Sequence, residues 1–333
     1  MVTRRNVLAA GIASSLFGYA SFGIRHAEAQ DSSSWPTRPV KLVVAFGAGG
    51  MNDITARVLA SNVTPGLGQS MIVENRSGAG GVVGTEVVAK AKPDGYTVLL
   101  GTSSQLVTNV ALYSKLPFDV EKDFTSVALV CRTPQMLLCK QGLPVKSLAE
   151  FAALARSRPG QMNYGTVGQG SITHVAASFF LRTAGIRLEP IHYRGIADAS
   201  VALVRGDVDM IYTAPIDTVI EYVKSGQAKA LATSVKRLPA LPEVPTFQEA
   251  GMQQAESYTW NAIVVPAATP RAIVGKLNAK VNEALQLPPM KAYFEKSGQE
   301  PLAGFTPEES DKFWKKELTT WLPRIRSMGI TLG

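Results

Sequence analysis

The chain is poor in cysteine, histidine and charge. Of its 333 residues two are cysteine, three are histidine and 18% are charged. Two cysteines cannot frame a chain of this length, which excludes a disulfide-stapled miniprotein. No Cys/His spacing suits zinc, so no metal is expected. No block of Lys and Arg is present to track a phosphate backbone. The excess of 34 basic over 26 acidic residues therefore argues weak steering of anions and no nucleic-acid partner. Nucleotide fingerprints are missing too. Counting from Gly47, Gly78 and Gly168, the sixth position of a G-x-G-x-x-G motif is Asn52, Val83 and Thr173, and no G-x-x-x-x-G-K-[ST] occurs, so no cofactor is expected. Beyond the amino-terminal segment no apolar run reaches the roughly 20 residues of a membrane helix.

What is present is a globular composition, 46% hydrophobic, at a length that suits two lobes. The amino terminus is a separate matter. Arg4-Arg5 precedes an apolar run to about Ile24, and Ala27-Glu28-Ala29 offers a small-x-small cleavage site. These features read as a signal peptide over residues 1–29, cleaved near Ala29-Gln30, with the Sec or twin-arginine route left open. Removing Arg4, Arg5, Arg25 and Glu28 lowers the mature charge by two, to +6. The mature protein is then expected in the periplasm. In that oxidising space Cys131 and Cys139, eight positions apart around Pro134, either pair by a chain reversal or stay as buried thiols. Their apolar neighbours favour thiols.

From Val40 the sequence alternates β-branched runs with amphipathic stretches, the pattern of βαβ units. Strands are expected over residues 40–46, 70–74, 96–101, 162–165, 190–193, 208–213, 228–234 and 260–265. Helices are expected over 52–61, 82–91, 148–157, 172–184, 197–205, 216–224, 270–287 and 307–328. Ser147, with Glu150 three residues on, reads as a capping box. The alternation restarts near Pro134, and a second apolar crossing falls near Trp260. The fold class is therefore α/β, with two lobes of mixed sheets flanked by helices and joined by two crossings. The organisation reads as residues 30–133 for the first part of lobe 1 and 134–257 for lobe 2. Residues 258–333 form the crossing and the carboxyl-terminal helices that return to lobe 1. A ligand belongs in the cleft at the strand ends.

Three glycine-rich loops lie between a strand and a helix: residues 46–53, 75–81 and 165–174. Glycine lets backbone approach a ligand, and a helix start offers unpaired N–H groups with a positive dipole end, so such loops suit a small anion. The first supplies Phe46, Gly47, Ala48, Gly49, Gly50, Met51 and Asp53, the last of which caps the helix or faces the ligand. The third supplies Thr166, Gly168, Gly170, Ser171 and His174. Thr102 and Ser103 place hydroxyls at a strand end, and Tyr193 ends another strand. Ser171 and His174 are three apart and could mimic a nucleophile–base pair, but no G-x-S-x-G elbow surrounds the serine. Hydrogen bonding to a ligand is the better reading, and an exported serine hydrolase is the rival.

With these residues in place the chain resembles the periplasmic substrate-binding proteins of the tripartite tricarboxylate transporter, the Bug family. The resemblance runs from Trp35 to the end. It is carried by Gly49-Gly50-Met51-Asn52-Asp53 with Ala56-Arg57, by Val73-Glu74-Asn75-Arg76, by Pro93-Asp94-Gly95-Tyr96-Thr97 and by Gly168-x-Gly170-Ser171-x-x-His174. Tyr193-Arg194-Gly195 and Leu241-Pro242-Glu243-Val244-Pro245-Thr246 add to it. The resemblance implies a type II, flytrap-like periplasmic-binding-protein fold and a monomer with no catalysis of its own. Its ligand would be a small organic carboxylate, a di- or tricarboxylate, an amino-acid-like acid or an aromatic acid. That ligand would be held by the 46–53 and 166–174 loops and delivered to integral-membrane permease subunits; docking on a membrane sensor is the other outlet. Ala45 stands where the family usually has proline, and Met51 and Asn52 fall where it varies, so they should help select the ligand.

Overall fold

β1 (Val40–Val44) is fully buried at four of its five positions, as a near-continuous run of Val and Leu requires of a strand covered on both faces. The computed structural model describes residues 34–332; the signal peptide expected over residues 1–29 lies outside them. From β1 the chain runs through α1 (Met51–Leu67), β2 (Met71–Asn75), α2 (Val82–Ala89) and β3 (Thr97–Thr102), close to the expected alternation. A π-helical turn (Ser104–Thr108), α3 (Asn109–Leu112) and α4 (Val120–Asp123) lead into β4 (Phe124–Thr133). Two parallel pairings, β1 with β2 and β1 with β3, and the antiparallel pairings of β10 (Thr259–Pro266) with β3 and β4 make the first sheet mixed; with β11 (Glu300–Pro301) at one edge its order is β11-β4-β10-β3-β1-β2.

After Pro134 the chain enters a second sheet. Here β5 (Met136–Lys140), α5 (Leu148–Ser157), β6 (Asn163–Thr166), α6 (Ile172–Ala184), β7 (Glu189–His192), α7 (Ile196–Arg205), β8 (Met210–Thr213), α8 (Asp217–Lys224) and β9 (Ala228–Thr233) follow in turn. Their sheet order is β7-β6-β8-β5-β9. Ser147 caps α5 as expected, accepting the Glu150 amide, while the Glu150 carboxylate reaches one residue further back, to the Lys146 amide. Gly185 ends α6 in the left-handed conformation that glycine adopts without strain. β10 (Thr259–Pro266) returns to the first sheet, followed by α9 (Arg271–Leu285), α10 (Pro288–Ser297), β11 (Glu300–Pro301) and α11 (Pro307–Arg326).

Each sheet buries a core on both faces. In the first, Leu59 of α1, Leu277 of α9 and Phe294 of α10 cover one side, and Val88 of α2 and Trp314 of α11 cover the other. In the second, Phe151 and Phe180 lie on one side and Leu203 and Val219 on the other. The two connections between sheets are tied together. The Gln135 amide donates to Ser234 Oγ at 2.7 Å and the Ser234 amide to the Gln135 carbonyl at 2.8 Å. Because the chain crosses at Pro134 instead of reversing, Cys131 lies in the first core and Cys139 in the second, as two buried free thiols. None of the described helices is long and apolar enough to cross a membrane.

Candidate functional site

The first glycine loop joins β1 to α1. Gly49 has φ +80°, which glycine tolerates and other residues do not. Gly50 occupies the cap position of α1 without a side-chain cap. Asp53, buried in the first turn, closes the loop: its Oδ2 accepts the Gly49 amide at 2.8 Å and Arg57 Nε at 3.0 Å, and its Oδ1 accepts Asn75 Nδ2 at 2.9 Å. The hydrogen bond from Arg57 holds its carboxyl low, at about 2, against the opposing effect of burial, with Gly49 and Asn75 helping. Asp53 is thus the organiser of the loop, and its oxygens are committed to the protein. Asn75 also donates to the Phe46 carbonyl at 3.1 Å. The amides of Met51, Asn52 and Asp53 find no acceptor among the described residues. Three N–H groups at the positive end of a 17-residue helix therefore stay open.

The third loop is arranged differently, for most of its donors are used internally. The Val167 amide donates to Thr173 Oγ1, the Gly168 amide to Thr166 Oγ1, the Gly170 amide to His174 Nδ1 and the His174 amide to Ser171 Oγ. At the start of α6 the amides of Ile172 and Thr173 have no acceptor among the described residues. The two helix starts therefore differ: α1 is open, and α6 is largely capped by its own side chains. The second loop (residues 75–81) supports the first through Asn75 and is itself held by Asn109, which donates to the Gly80 carbonyl, and by Tyr113, which donates to that of Ala79.

His174 lies against Tyr164 on one side and His192 on the other. Burial, and then the neighbouring His192, lower its pKa, which keeps the ring neutral at pH 7 with Nδ1 accepting from Gly170. Ser171 Oγ donates to the Gly168 carbonyl at 2.7 Å. No hydrogen bond joins the Ser171 and His174 side chains, so the serine has no base to activate it. The hydrolase reading fails on this geometry. Tyr193 donates its amide to the Thr166 carbonyl at 2.7 Å and places its ring over Gly165.

Thr102 ends β3 and Ser103 follows it, both buried. The Thr102 amide donates to Gln105 Oε1 at 2.7 Å. Ser103 Oγ has no hydrogen-bond partner among the described residues, and Ser103 borders a space of about 20 Å³ beside Ile172, Trp260 and Glu317, room for roughly one water. A larger cavity, about 370 Å³, is lined by Gly49 and Met51 of the first sheet's lobe, by Pro215 and Ile216 at the β8–α8 turn of the second sheet, and by Tyr293 and Lys296 of α10. Its size falls in the range of small-molecule sites, roughly 300–1,000 Å³. Among the described residues no group of three or more His, Cys, Asp or Glu is placed to hold a metal.

Arg57, Asn75 and Pro215–Ile216 carry no weight in the sequence reading of the site. Arg57 and Asn75 lie inside stretches that carry the family resemblance, and their spacing from Asp53 (four and 22 positions) was the available signal. Pro215 and Ile216 come from the other sheet and leave none.

Two mixed sheets joined by two crossings, with an open helix start at a cleft between them, define a two-lobe solute-binding protein of the periplasmic type. The chain belongs to the tripartite tricarboxylate transporter family receptors, whose family model matches residues 55–330. These are receptors and not enzymes. The fold is similar to that of periplasmic binding protein BugD (31% identity, TM-score 0.75), the match covering 89% of this chain and 99% of that one. It is similar to Rpa4515 of R. palustris, solved with adipate (32% identity, TM-score 0.77, 89% and 99% covered). It is also similar to MatC of Rhodopseudomonas palustris, solved with bound malate (31% identity, TM-score 0.73, 87% and 99% covered).

Proposed function

We propose that this protein is exported to the periplasm, where residues 1–29 are removed before Gln30, and there captures a small organic carboxylate as a monomer. Residues 30–133 and 258–333 form one lobe and 134–257 the other, and the cleft closes on the ligand. The loaded protein then delivers it to the integral-membrane permease subunits of a tripartite-type transporter. The open start of α1 carries this reading. The free amides of Met51, Asn52 and Asp53, reached past the bare backbone of Gly47, Gly49 and Gly50, suit one carboxylate group. Phe46 and Ala48 complete that wall. Across the cleft the loop of Thr166, Gly168, Gly170, Ser171 and His174, braced by its own hydrogen bonds, presents the amides of Ile172 and Thr173, with Tyr193 beside it and Thr102 and Ser103 at the base. The adipate and malate bound by two relatives are both carboxylates, the chemistry this helix start favours.

Thermal denaturation with a panel of mono-, di-, tri- and aromatic carboxylates tests the proposal. A ligand at a hundredfold excess over its Kd stabilises the native state by about 2.7 kcal/mol, so at least one acid should raise the Tm by several degrees. A flat response to the whole panel would remove the basis of the reading.

A further inference from the structure

A line of polar side chains is buried in the first lobe, against the core that α1 covers. Its middle lies on the two strands that carry the crossings. Asn261 of β10 and Cys131 of β4 stand opposite each other. A bulge in β4 sends both Val130 and Cys131 to the face that α1 covers. The Cys131 thiol donates to Asn261 Oδ1 at 3.5 Å and accepts from Gln299 Nε2 at 3.3 Å. Gln299 Nε2 also donates to Oγ1 of Thr133 at 2.9 Å, the last residue of β4 before the chain crosses. Asn261 and Gln299 are 2% and 1% exposed, so each depends on protein partners. The line surfaces at α1. There Asn261 Nδ2 donates to Asn52 Oδ1 at 3.0 Å, and Asn52 is half-buried between Met51 and Asp53, whose amides are open.

We infer that Asn261 is a positioning residue: it fixes Asn52, and with it the open start of α1, to the two strands that carry the crossings between lobes. The inference rests on the reading of that helix start as the carboxylate anchor, and Asn261 acts through Asn52 without touching the anion. Thr133 ends β4 next to Pro134, and Asn261 is the third residue of β10. A shift at either crossing therefore reaches Asn52 through a short chain of hydrogen bonds. Both polar groups of the Asn261 side chain are committed, the oxygen to Cys131 and the nitrogen to Asn52. A leucine there would fill the space and make neither bond, so what it loses is the position of Asn52. One hydrogen bond of this kind is worth about fivefold in an equilibrium.

Hydrogen–deuterium exchange and isothermal titration of the full mature protein test the inference in Asn261→Leu, Asn52→Ala, the double variant and Asn52→Asp. Asn52 is at the surface end of the line, so its variants should fold even where Asn261→Leu does not. Without ligand, Asn261→Leu and Asn52→Ala should each speed exchange of the amides of residues 54–57 by about fivefold, with the amides of α9 keeping their natural rates. Asn52→Asp keeps an oxygen for Asn261 Nδ2 and should exchange no faster than the natural sequence. The titrations use adipate, malate, citrate, glutamate and benzoate. Each single variant should weaken whichever acids bind by about fivefold, and the double variant by no more than either alone, as residues of one unit do. Exchange that rises evenly along the chain, or weakening that adds up in the double variant, would make Asn261 an ordinary core residue and overturn the inference. Natural affinity in Asn52→Ala overturns it as well and leaves the anchor standing. If the natural sequence binds none of these acids, the anchor reading falls and the inference falls with it.

Discussion

Asp53 accepts the amide of Gly49, four residues before it, at 2.8 Å, so the first helix fixes the loop that precedes it. The same carboxylate holds Arg57 and Asn75. Its pKa, lowered from 3.8 to about 2 first by the hydrogen bond from Arg57, makes its ionised form part of the folded state. The contribution is fully present above the unfolded value near 4 and is lost as pH falls through about 2. It amounts to about 2 kcal/mol, since each pKa unit is 1.36 kcal/mol. Asp53→Asn should lower stability at pH 7 by about that amount and flatten the fall in the urea midpoint between pH 4 and 2. An unchanged acid limb in the variant would show that the charge on Asp53 is not what holds the loop.

Gly49 and Gly50 differ in what a side chain would do. A Cβ at Gly49 meets nothing within 4 Å, but the residue sits at φ +80°. The penalty there is backbone strain of about 1–2 kcal/mol, larger for a β-branched residue. At Gly50, with φ −78°, a Cβ would lie 3.6 Å from the Gly47 carbonyl oxygen, an ordinary contact. Gly49→Val is expected to keep its circular dichroism spectrum and lose carboxylate binding, with Gly50→Ala folding normally. Equal affinity in Gly49→Val and the natural protein would place the anion elsewhere.

Much of this was legible in the sequence, and what was hidden had physical causes. α6 was read from Ile172 to Ala184 because its period is clear, Ser171 caps it and Gly185 ends it. β4 escaped notice. Between β10 and β11 it is buried on both faces, so its ten residues show no alternation. The π-helical turn after Ser103 was hidden because Gln105 and Thr108 are buried polar residues there and interrupt any apolar period. No helix was expected between residues 287 and 307; in the structure Pro288 is the first residue of α10, where a missing N–H does no harm. α1 runs past the expected Ser61 to Leu67 with Pro65 in its last turn.

The site divides in the same way. Its glycine loops were visible because close backbone approach leaves glycine in the sequence. Asp53 was visible as a helix-start acid. Ile216, Tyr293 and Lys296 were not, because they share a cavity with Met51 only through the way the two sheets come together and α10 returns, and no local pattern records that.

The cysteines offer a simple check on the crossing at Pro134. Both thiols are buried; burial raises the pKa of Cys131, and that of Cys139 to about 12. Neither is ionised at pH 8, and a thiolate is the reactive form. An aromatic disulfide reagent should label none in the folded protein and two per chain in denaturant. A mass gain of 2 Da on reduction would reveal a disulfide and contradict the separation of the two cores.

Gly84 sets packing against propensity. It lies within α2, where replacing glycine by alanine ordinarily stabilises a helix by about 1 kcal/mol. Here a Cβ would come 2.6 Å from Ala45 Cβ and 2.6 Å from the Arg76 carbonyl oxygen. Both are fixed groups, one on the residue after β1 and one on the backbone after β2, so neither can swing aside. Overpacking of this kind destabilises by about 1–3 kcal/mol, which exceeds the gain in propensity. Gly84→Ala should therefore lower the Tm. Because Ala45 leads straight into Phe46 and the glycine loop, the same variant should weaken carboxylate binding at temperatures where it is still folded. A raised Tm would mean that α2 stands further from β1 than the close approach at Gly84 implies.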